Sequence, residues 1–407
     1  MRLSCKRGVL VLLVFAVLSA NVVVAEEGPI KVGALMALTG ALGPYGPSIA
    51  NGAQMAVDTI NAAGGVLGRS LELVLRDTGT SPDVGRDAAS KLVEIDGVSA
   101  VVGALSSGVT LAVSSVTIPA EVVLISPAST APSIPALEDD DFVFRTVVSD
   151  EVQGVVMGRL AKLLNYGKVA VVFVNNDYGK GLADAFSTTF EALGGTVSAV
   201  VPYEENKPSY RGEVDQLLAG DPEALVMVCY PVDGNKQIVE ALEAGYTGGF
   251  LLSDGMKGEG VAPGPACASA DDVGPLEGAF GTAAAFGFKA EQFSADFDAG
   301  GYGPSTIPYH DKAYDAVMLI ALAIVRAGET SGTAIRDNLR AVANPPGEAV
   351  YYDEWEKAVA LLQAGKEINY QGAAGLVDFK ETGDVDGAIE VWKIEGCQVV
   401  PVMEAAG

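Results

Sequence analysis

Short apolar runs alternate with amphipathic stretches of helical length through most of this chain, and that alternation leaves few folds open. A strand, a covering helix and a second parallel strand make one βαβ unit. Repeating the unit demands a parallel sheet with helices on both faces. The first series predicts strands at 30–38, 71–77, 100–103, 122–126 and 142–147, with helices at 48–62, 81–95, 109–120 and 150–164. A second series opens at Lys168, with strands at 169–175, 196–203, 224–230 and 249–253 and helices at 179–193, 211–219 and 234–244. It repeats the outline of the first without residue-level identity. The prediction is an α/β chain of two doubly wound lobes.

The last third reads differently. A strand at 281–287 and a long helix at 309–327 precede two segments, 375–379 and 389–394, which read as a β-hairpin across the Gly-rich 382–387. No low-complexity linker divides the lobes. Crossing strands are expected near 144–149, 276–281 and 350–356, and several crossings predict a hinge. The expected division is a first α/β lobe of 26–148 plus 278–355 and a second of 149–277 plus 356–407.

At 407 residues the chain is too long for one ordinary core and suits two lobes of ~150 to 200 residues. Its start reads as a cleaved secretory signal over 1–25: basic Arg2, Lys6 and Arg7, an apolar run at 9–18, then Val23-Val24-Ala25 before Glu26. An uncleaved anchor is the other reading, but the run is short for a span of ~20 residues. The apolar stretch at 317–325 is shorter still and reads as a buried helix face. A formal net charge of −26 argues against nucleic acid or an anionic membrane as partner. Cys229, Cys267 and Cys397 lack metal-ligand spacing, and neither a metal nor a cofactor is expected. In an oxidising compartment Cys267 and Cys397 could pair; spacing leaves that open.

Two polar turns carry the functional signal. Val101-Val102-Gly103-Ala104-Leu105-Ser106-Ser107-Gly108 and Val122-Val123-Leu124-Ile125-Ser126-Pro127-Ala128-Ser129-Thr130 each leave an apolar strand for small residues and hydroxyls. Backbone N–H groups and short O–H donors at strand C-termini hold a small carboxylate without a basic side chain. Asp254 ends a further apolar strand and could pair with an ammonium. Donors for one end of a ligand and a negative charge for the other describe an amino-acid site. Plainer roles stand beside each residue. Ser107 could cap a helix, Thr130 could be a turn residue, and Asp254 before Gly255 a turn aspartate. Tyr178 could be a surface aromatic and Tyr230 a half-buried strand end. Catalysis finds little support: the single histidine, His310, has no nucleophile motif near it, and no G-x-S-x-G, H-E-x-x-H or G-x-x-x-x-G-K-[ST] occurs. The acidic 138–141 reads as a solvated loop.

Several segments together carry a family resemblance. They are Ile30-Lys31-Val32-Gly33, Thr39-Gly40, Asn51-Gly52-Ala53-Gln54-Met55-Ala56-Val57, Ile60-Asn61-Ala62-Ala63-Gly64-Gly65-Val66-Leu67-Gly68, Ser126-Pro127-Ala128-Ser129-Thr130, Phe144-Arg145-Thr146, Tyr178-Gly179-Lys180-Gly181 and Tyr314-Asp315-Ala316. Over nearly the whole mature chain the sequence resembles periplasmic substrate-binding proteins of ABC importers, in the branched-chain (hydrophobic) amino-acid group. The resemblance implies a type I periplasmic-binding-protein fold. It implies a ligand carboxylate on Ser107 and Thr130, and an ammonium on the Ala128 carbonyl, Thr130 and Asp254. Tyr178 and Tyr230 would close from the second lobe, and Tyr45 and Tyr309 would form aromatic walls. It implies a periplasmic, monomeric subunit without cofactor that captures leucine, isoleucine or valine and delivers it to a membrane permease. An amide, urea, a small organic acid or a sensor module on the same fold is the alternative. A sensor domain would usually precede a transmembrane helix, so the end at Gly407 favours the importer subunit. Two departures stand out. Asp254 is one methylene shorter than the glutamate of some members, and Ser81 and Ser106 occupy the positions of a disulfide found in others.

Overall fold

The structure is a computed structural model that describes residues 28–258, 274 and 276–406. The expected signal segment 1–25 and Cys267 lie outside the described residues. Cys397 is disulfide-bonded, and Cys229 is a free, buried thiol.

The first sheet collects β1 (Ile30–Met36), then α1 (Gly46–Ala62), β2 (Leu71–Asp77), α2 (Pro82–Lys91), β3 (Ala100–Gly103), α3 (Ser107–Thr117), β4 (Val123–Ser126) and β5 (Val143–Arg145). Its strands are all parallel in the order β2-β1-β3-β4-β5. Every residue of β3 and β4 is buried, as a strand covered by helices on both faces requires.

The chain continues through α4 (Asp150–Leu163), β6 (Lys168–Val174), α5 (Asp177–Ala192), β7 (Thr196–Tyr203), α6 (Arg211–Leu218), β8 (Ala224–Val228), α7 (Pro231–Glu243), β9 (Gly249–Leu252) and β10 (Phe280–Ala284). Then follow α8 (Ala290–Ala299), α9 (His310–Ala327), α10 (Gly332–Ala343), β11 (Glu348–Tyr351), α11 (Trp355–Gln363), β12 (Ile368–Gly372), β13 (Gly375–Leu376), β14 (Ile389–Glu395) and β15 (Gln398–Ala405). The second sheet has the order β15-β14-β10-β9-β8-β6-β7, parallel from β10 to β7 and antiparallel at β14 and β15. A small third sheet, β11-β12-β13, packs against α9 and α10. Among the described residues no single helix is long and apolar enough to cross a membrane.

Close packing of α4 on α5 rests on two glycines. A Cβ at Gly154 would lie 2.5 Å from the Ala185 Cβ, and one at Gly158 would lie 2.8 Å from Thr189 Cγ2. Ser149 and Asn176 cap the two helices, accepting from Glu151 N at 3.3 Å and Gly179 N at 3.0 Å. This pairing sets the first half of α4 against the second half of α5.

In each large sheet the strand order reverses once, between β1 and β3 and between β6 and β8. A doubly wound sheet opens a crevice at such a point, outside the strand C-termini.

Three crossing segments, 146–149, 285–289 and 377–388, join the sheets. Lys312 on α9 ties two of them: its carbonyl accepts from the Thr146 hydroxyl at 2.8 Å and its ammonium donates to Ala285 O at 2.9 Å. The Phe286 ring lies 5.3 Å from the Lys312 ammonium and 5.4 Å from that of Lys257. Arg145, at the end of β5 just before the first crossing, is tied to the last crossing through two bonds to Asp384, at 2.6 and 2.8 Å, and also donates to Ser129 O and Ala131 O. A cavity of about 570 Å3 lies among these segments.

Three expectations need correcting. The C-terminal hairpin is β14–β15; the 375–379 segment instead contributes β13, which pairs with β12. β10, expected with the first lobe, pairs with β9 and β14 in the second sheet. Residues 356–376, expected with the second lobe, form α11, β12 and β13 beside α9 and α10. In each case an apolar segment has two possible partners, and only long-range pairing selects one.

Removing one partner of a buried ion pair leaves a charge without compensation and costs about 3–5 kcal/mol. Asp384→Ala is therefore expected to lower the unfolding free energy in urea by about that amount. A loss below about 1 kcal/mol would show that this pair does not hold the crossings.

Candidate functional site

Both crevices open onto one cleft. From the first sheet, the loop after β1 brings Leu42 and Tyr45, the first turn of α1 brings Ile49, the turn after β3 brings Leu105, Ser106 and Ser107, and the turn after β4 brings Ala128. From the second sheet, α5 brings Tyr178, the end of β8 brings Tyr230, and the end of β9 brings Asp254 and Gly255. Tyr309 enters from the residue before α9. Little space is left between the two sides, and the Tyr45 and Tyr230 hydroxyls reach across it to the opposite wall. Among the described residues no lysine or arginine is in this lining.

Of the eight residues expected here, seven line the cavity: Ser107, Ala128, Tyr178, Tyr230, Asp254, Tyr45 and Tyr309. Thr130 stands behind the wall. Its hydroxyl donates to Asp150 Oδ2 at 2.8 Å.

The anion-attracting side is the start of α3. Ser106 precedes the helix and Ser107 is its first residue, so the unpaired first-turn N–H groups and the positive end of the helix dipole face the cavity. Ser107 Oγ accepts from Ala131 N at 3.2 Å, which fixes the β4 turn against α3. Ser126 braces the same turn, donating to Ala104 O at 2.7 Å and accepting from Ser129 N at 2.9 Å. The backbone that frames the site is thus held by short hydroxyls.

The opposite side is negative. Asp254 accepts from the Tyr178 hydroxyl at 2.7 Å and Gln153 Nε2 at 3.0 Å on one oxygen, and from the Tyr309 hydroxyl at 2.6 Å on the other. Tyr309 achieves this from a left-handed backbone, φ 76°, a conformation that costs about 1 kcal/mol or more for a bulky residue. Burial first, and Asp254 second, push both phenols well above their ordinary range, so they remain donors. Tyr178 and Tyr230 stack with centroids 5.7 Å apart and planes 4° off parallel. The Tyr230 hydroxyl takes the Asn176 amide at 3.0 Å and meets Ser106 Oγ at 3.4 Å across the cleft. Tyr45 also crosses: its hydroxyl lies 2.9 Å from both Gly255 O and Lys257 O.

Asp150 and Gln153 were not foreseen. Both are buried polar residues one turn apart on α4, and the cap signal at Ser149-Asp150-Glu151 explains Asp150 without any site. A telling sign was Gln153 beside the otherwise apolar buried positions Val156, Met157 and Leu160. Leu42, Ile49 and Leu105 supply apolar wall that the motifs do not mark. His310 faces an aromatic box, with the Phe297 centroid at 4.3 Å; burial lowers its pKa and keeps the ring neutral.

Comparison with known proteins agrees with this architecture. The family described as periplasmic binding protein matches residues 29–363. The substrate-binding protein BasB of a chemotactic signal transduction system in Halobacterium salinarum is 31% identical over 362 residues, 86% of this chain and 83% of its own. The Leu/Ile/Val-binding protein homolog 3 of Brucella melitensis is 28% identical over 388 residues, 92% of this chain and 94% of its own. Among solved structures, the branched-chain amino acid transporter substrate binding protein LivJ of Streptococcus pneumoniae, in complex with isoleucine, superposes with a TM-score of 0.76. It is 24% identical, with 93% of this chain and 100% of that one covered, and it shares the type I fold. These are solute-binding proteins rather than enzymes. The chain belongs to the periplasmic binding protein family.

Proposed function

We propose that this protein captures an amino acid in the periplasm, with leucine, isoleucine or valine foremost, and hands it to the membrane permease of an ABC importer. One observation carries the reading: a buried carboxylate, Asp254, faces the N-terminus of α3 across a cavity with no basic side chain among the described residues of its lining. A zwitterion loses much hydration on entering such a cavity. Charge-assisted bonds from Ser107 and the α3 amides to its carboxylate, and from its ammonium to Asp254 and the Ala128 carbonyl, would offset that loss. Thr130 acts from behind, through Asp150. Leu42, Ile49 and Leu105 suit an aliphatic side chain, which gains about 0.8 kcal/mol per buried methylene. A bare organic acid would meet Asp254 with nothing to neutralise it, which disfavours the acid alternative. The relative named for Leu/Ile/Val binding supports the ligand class.

The two sheets belong to lobes that part about the three crossing segments to admit ligand and close over it. BasB, named for chemotactic signalling, favours a second reading of the partner: the same closed form could be read by a signalling receptor.

Calorimetric titration of refolded protein with amino acids and their amides tests the ligand class. One-to-one binding of leucine, isoleucine or valine is expected; binding only of an amide or a small acid would overturn it. Asp254→Asn should weaken amino-acid binding by thirtyfold or more, about 2 kcal/mol, and hardly affect a neutral amide. An unchanged Kd would reject the ammonium role. Tyr45→Phe removes the hydroxyl that spans the closed cleft. It should shift the unliganded protein towards an open form by up to about tenfold, read as a larger radius of gyration in solution scattering. An unchanged radius would reject Tyr45 as a closing contact.

A further inference from the structure

An ammonium site needs one carboxylate, and a second lies buried behind the cleft lining, close enough for the Asp254 charge to act on it. Asp150 opens α4 and is wholly buried. Its N–H donates to Thr130 O at 2.9 Å and its Oδ2 takes the Thr130 hydroxyl, while Oδ1 is buried without a hydrogen-bond partner. Residues three apart on a helix share a face. Gln153, three positions on, donates to Asp254 Oδ1 at 3.0 Å, so one face of α4 turns both Asp150 and Gln153 towards Asp254.

Among the described residues no cation bonds to Asp150; burial and the Asp254 charge outweigh the Thr130 hydroxyl and the Arg145 charge, which favour its ionised form. Arg145 on β5 spends Nε and Nη2 on Asp384 and Nη1 on the carbonyls of Ser129 and Ala131. Lys257 and Glu390, below α4, neutralise each other at 2.9 Å. Tyr178 from α5 and Tyr309 from the start of α9 are neutral phenols spent on Asp254. Glu151, next along α4, is exposed. Burial first, and the charge of Asp254 second, hold the Asp150 carboxyl well above the usual carboxylate range. Two ionised carboxylates cannot share so dry a site cheaply.

We propose that Asp150 carries a proton while the cleft is empty and loses it when the ligand's ammonium arrives, so that capture releases one proton to solvent. This rests on the amino-acid reading of the site. The Asp150 O–H bond breaks, its electron pair stays on the carboxylate, and the proton passes to the buffer. The ligand keeps its ammonium, whose positive charge beside Asp254 then offsets the repulsion between Asp254 and Asp150. Linkage fixes the sign. Between the raised value of the empty site and the lowered value of the filled one, affinity rises with pH by up to about tenfold per unit, and it is flat outside that window.

The test is titration of the whole protein with L-leucine, L-isoleucine and L-valine in phosphate and in Tris at one pH, repeated over roughly pH 5 to 8. The two buffers differ in ionisation enthalpy, so the difference in heat counts protons. Wild type should release up to one proton, with affinity rising as pH rises. Asp150→Asn keeps the shape and the contact with Thr130, and should bind with buffer-independent heat. An infrared band of a protonated carboxyl in the empty wild type should vanish in that variant. Binding with equal heats in both buffers, or a proton count that survives Asp150→Asn, overturns the coupling alone. Absence of binding by any amino acid overturns the capture reading and the coupling with it.

Discussion

A single buried carboxylate organises the cleft. Asp254 would be costly to bury ionised without donors around it. Its three donors come from different parts of the chain: Gln153 on α4, Tyr178 on α5 and Tyr309 before α9. Each has its own support. Gln153 is also held by Thr282 on β10, Tyr178 by Ser253, and Tyr309 by an uncommon left-handed backbone. Satisfying one charge therefore ties together α4, α5, β10, the end of β9 and the start of α9. The cleft can be closed because this charge has been answered in advance.

The crossing segments repeat that logic at the hinge. Arg145 and Asp384 answer each other, and the same guanidinium caps the carbonyls of Ser129 and Ala131 in the turn that frames the anion side of the site. Lys312 holds two crossings and stands three residues beyond Tyr309. Lys257 stands three residues beyond Asp254, and its carbonyl receives the Tyr45 hydroxyl. Hinge and ligand groups thus alternate along the same short stretches of chain.

Much of the site was legible because a doubly wound sheet obliges its loops to meet at strand C-termini where the order reverses. Small polar residues after β3 and β4, and Tyr178, Tyr230 and Asp254 after the strands of the second series, announce themselves by interrupting apolar runs. Thr130 was legible as a site residue yet stands one layer back, because the turn directs its hydroxyl to Asp150. Asp150 escaped notice because a helix cap accounts for an aspartate at that position equally well. The final strands were misjudged for a related reason: Gly375-Leu376 and Ile389–Glu395 both look like hairpin arms, and periodicity does not name a partner.

The amino-acid sequence by itself determined the two α/β lobes, the strand-end turns and most of the side chains that line the cleft. Those are consequences of local periodicity and of where polarity breaks it, and both are written within a few residues of one another. Tertiary structure alone decided that Asp150 comes within reach of the Asp254 charge, that Tyr45 reaches Gly255 and Lys257 across the cleft, and that β10 joins the second sheet while α11, β12 and β13 stay with α9 and α10. These contacts join residues far apart in the chain, so no local pattern encodes them. They follow from which buried charges and strand edges must find partners once the lobes have closed.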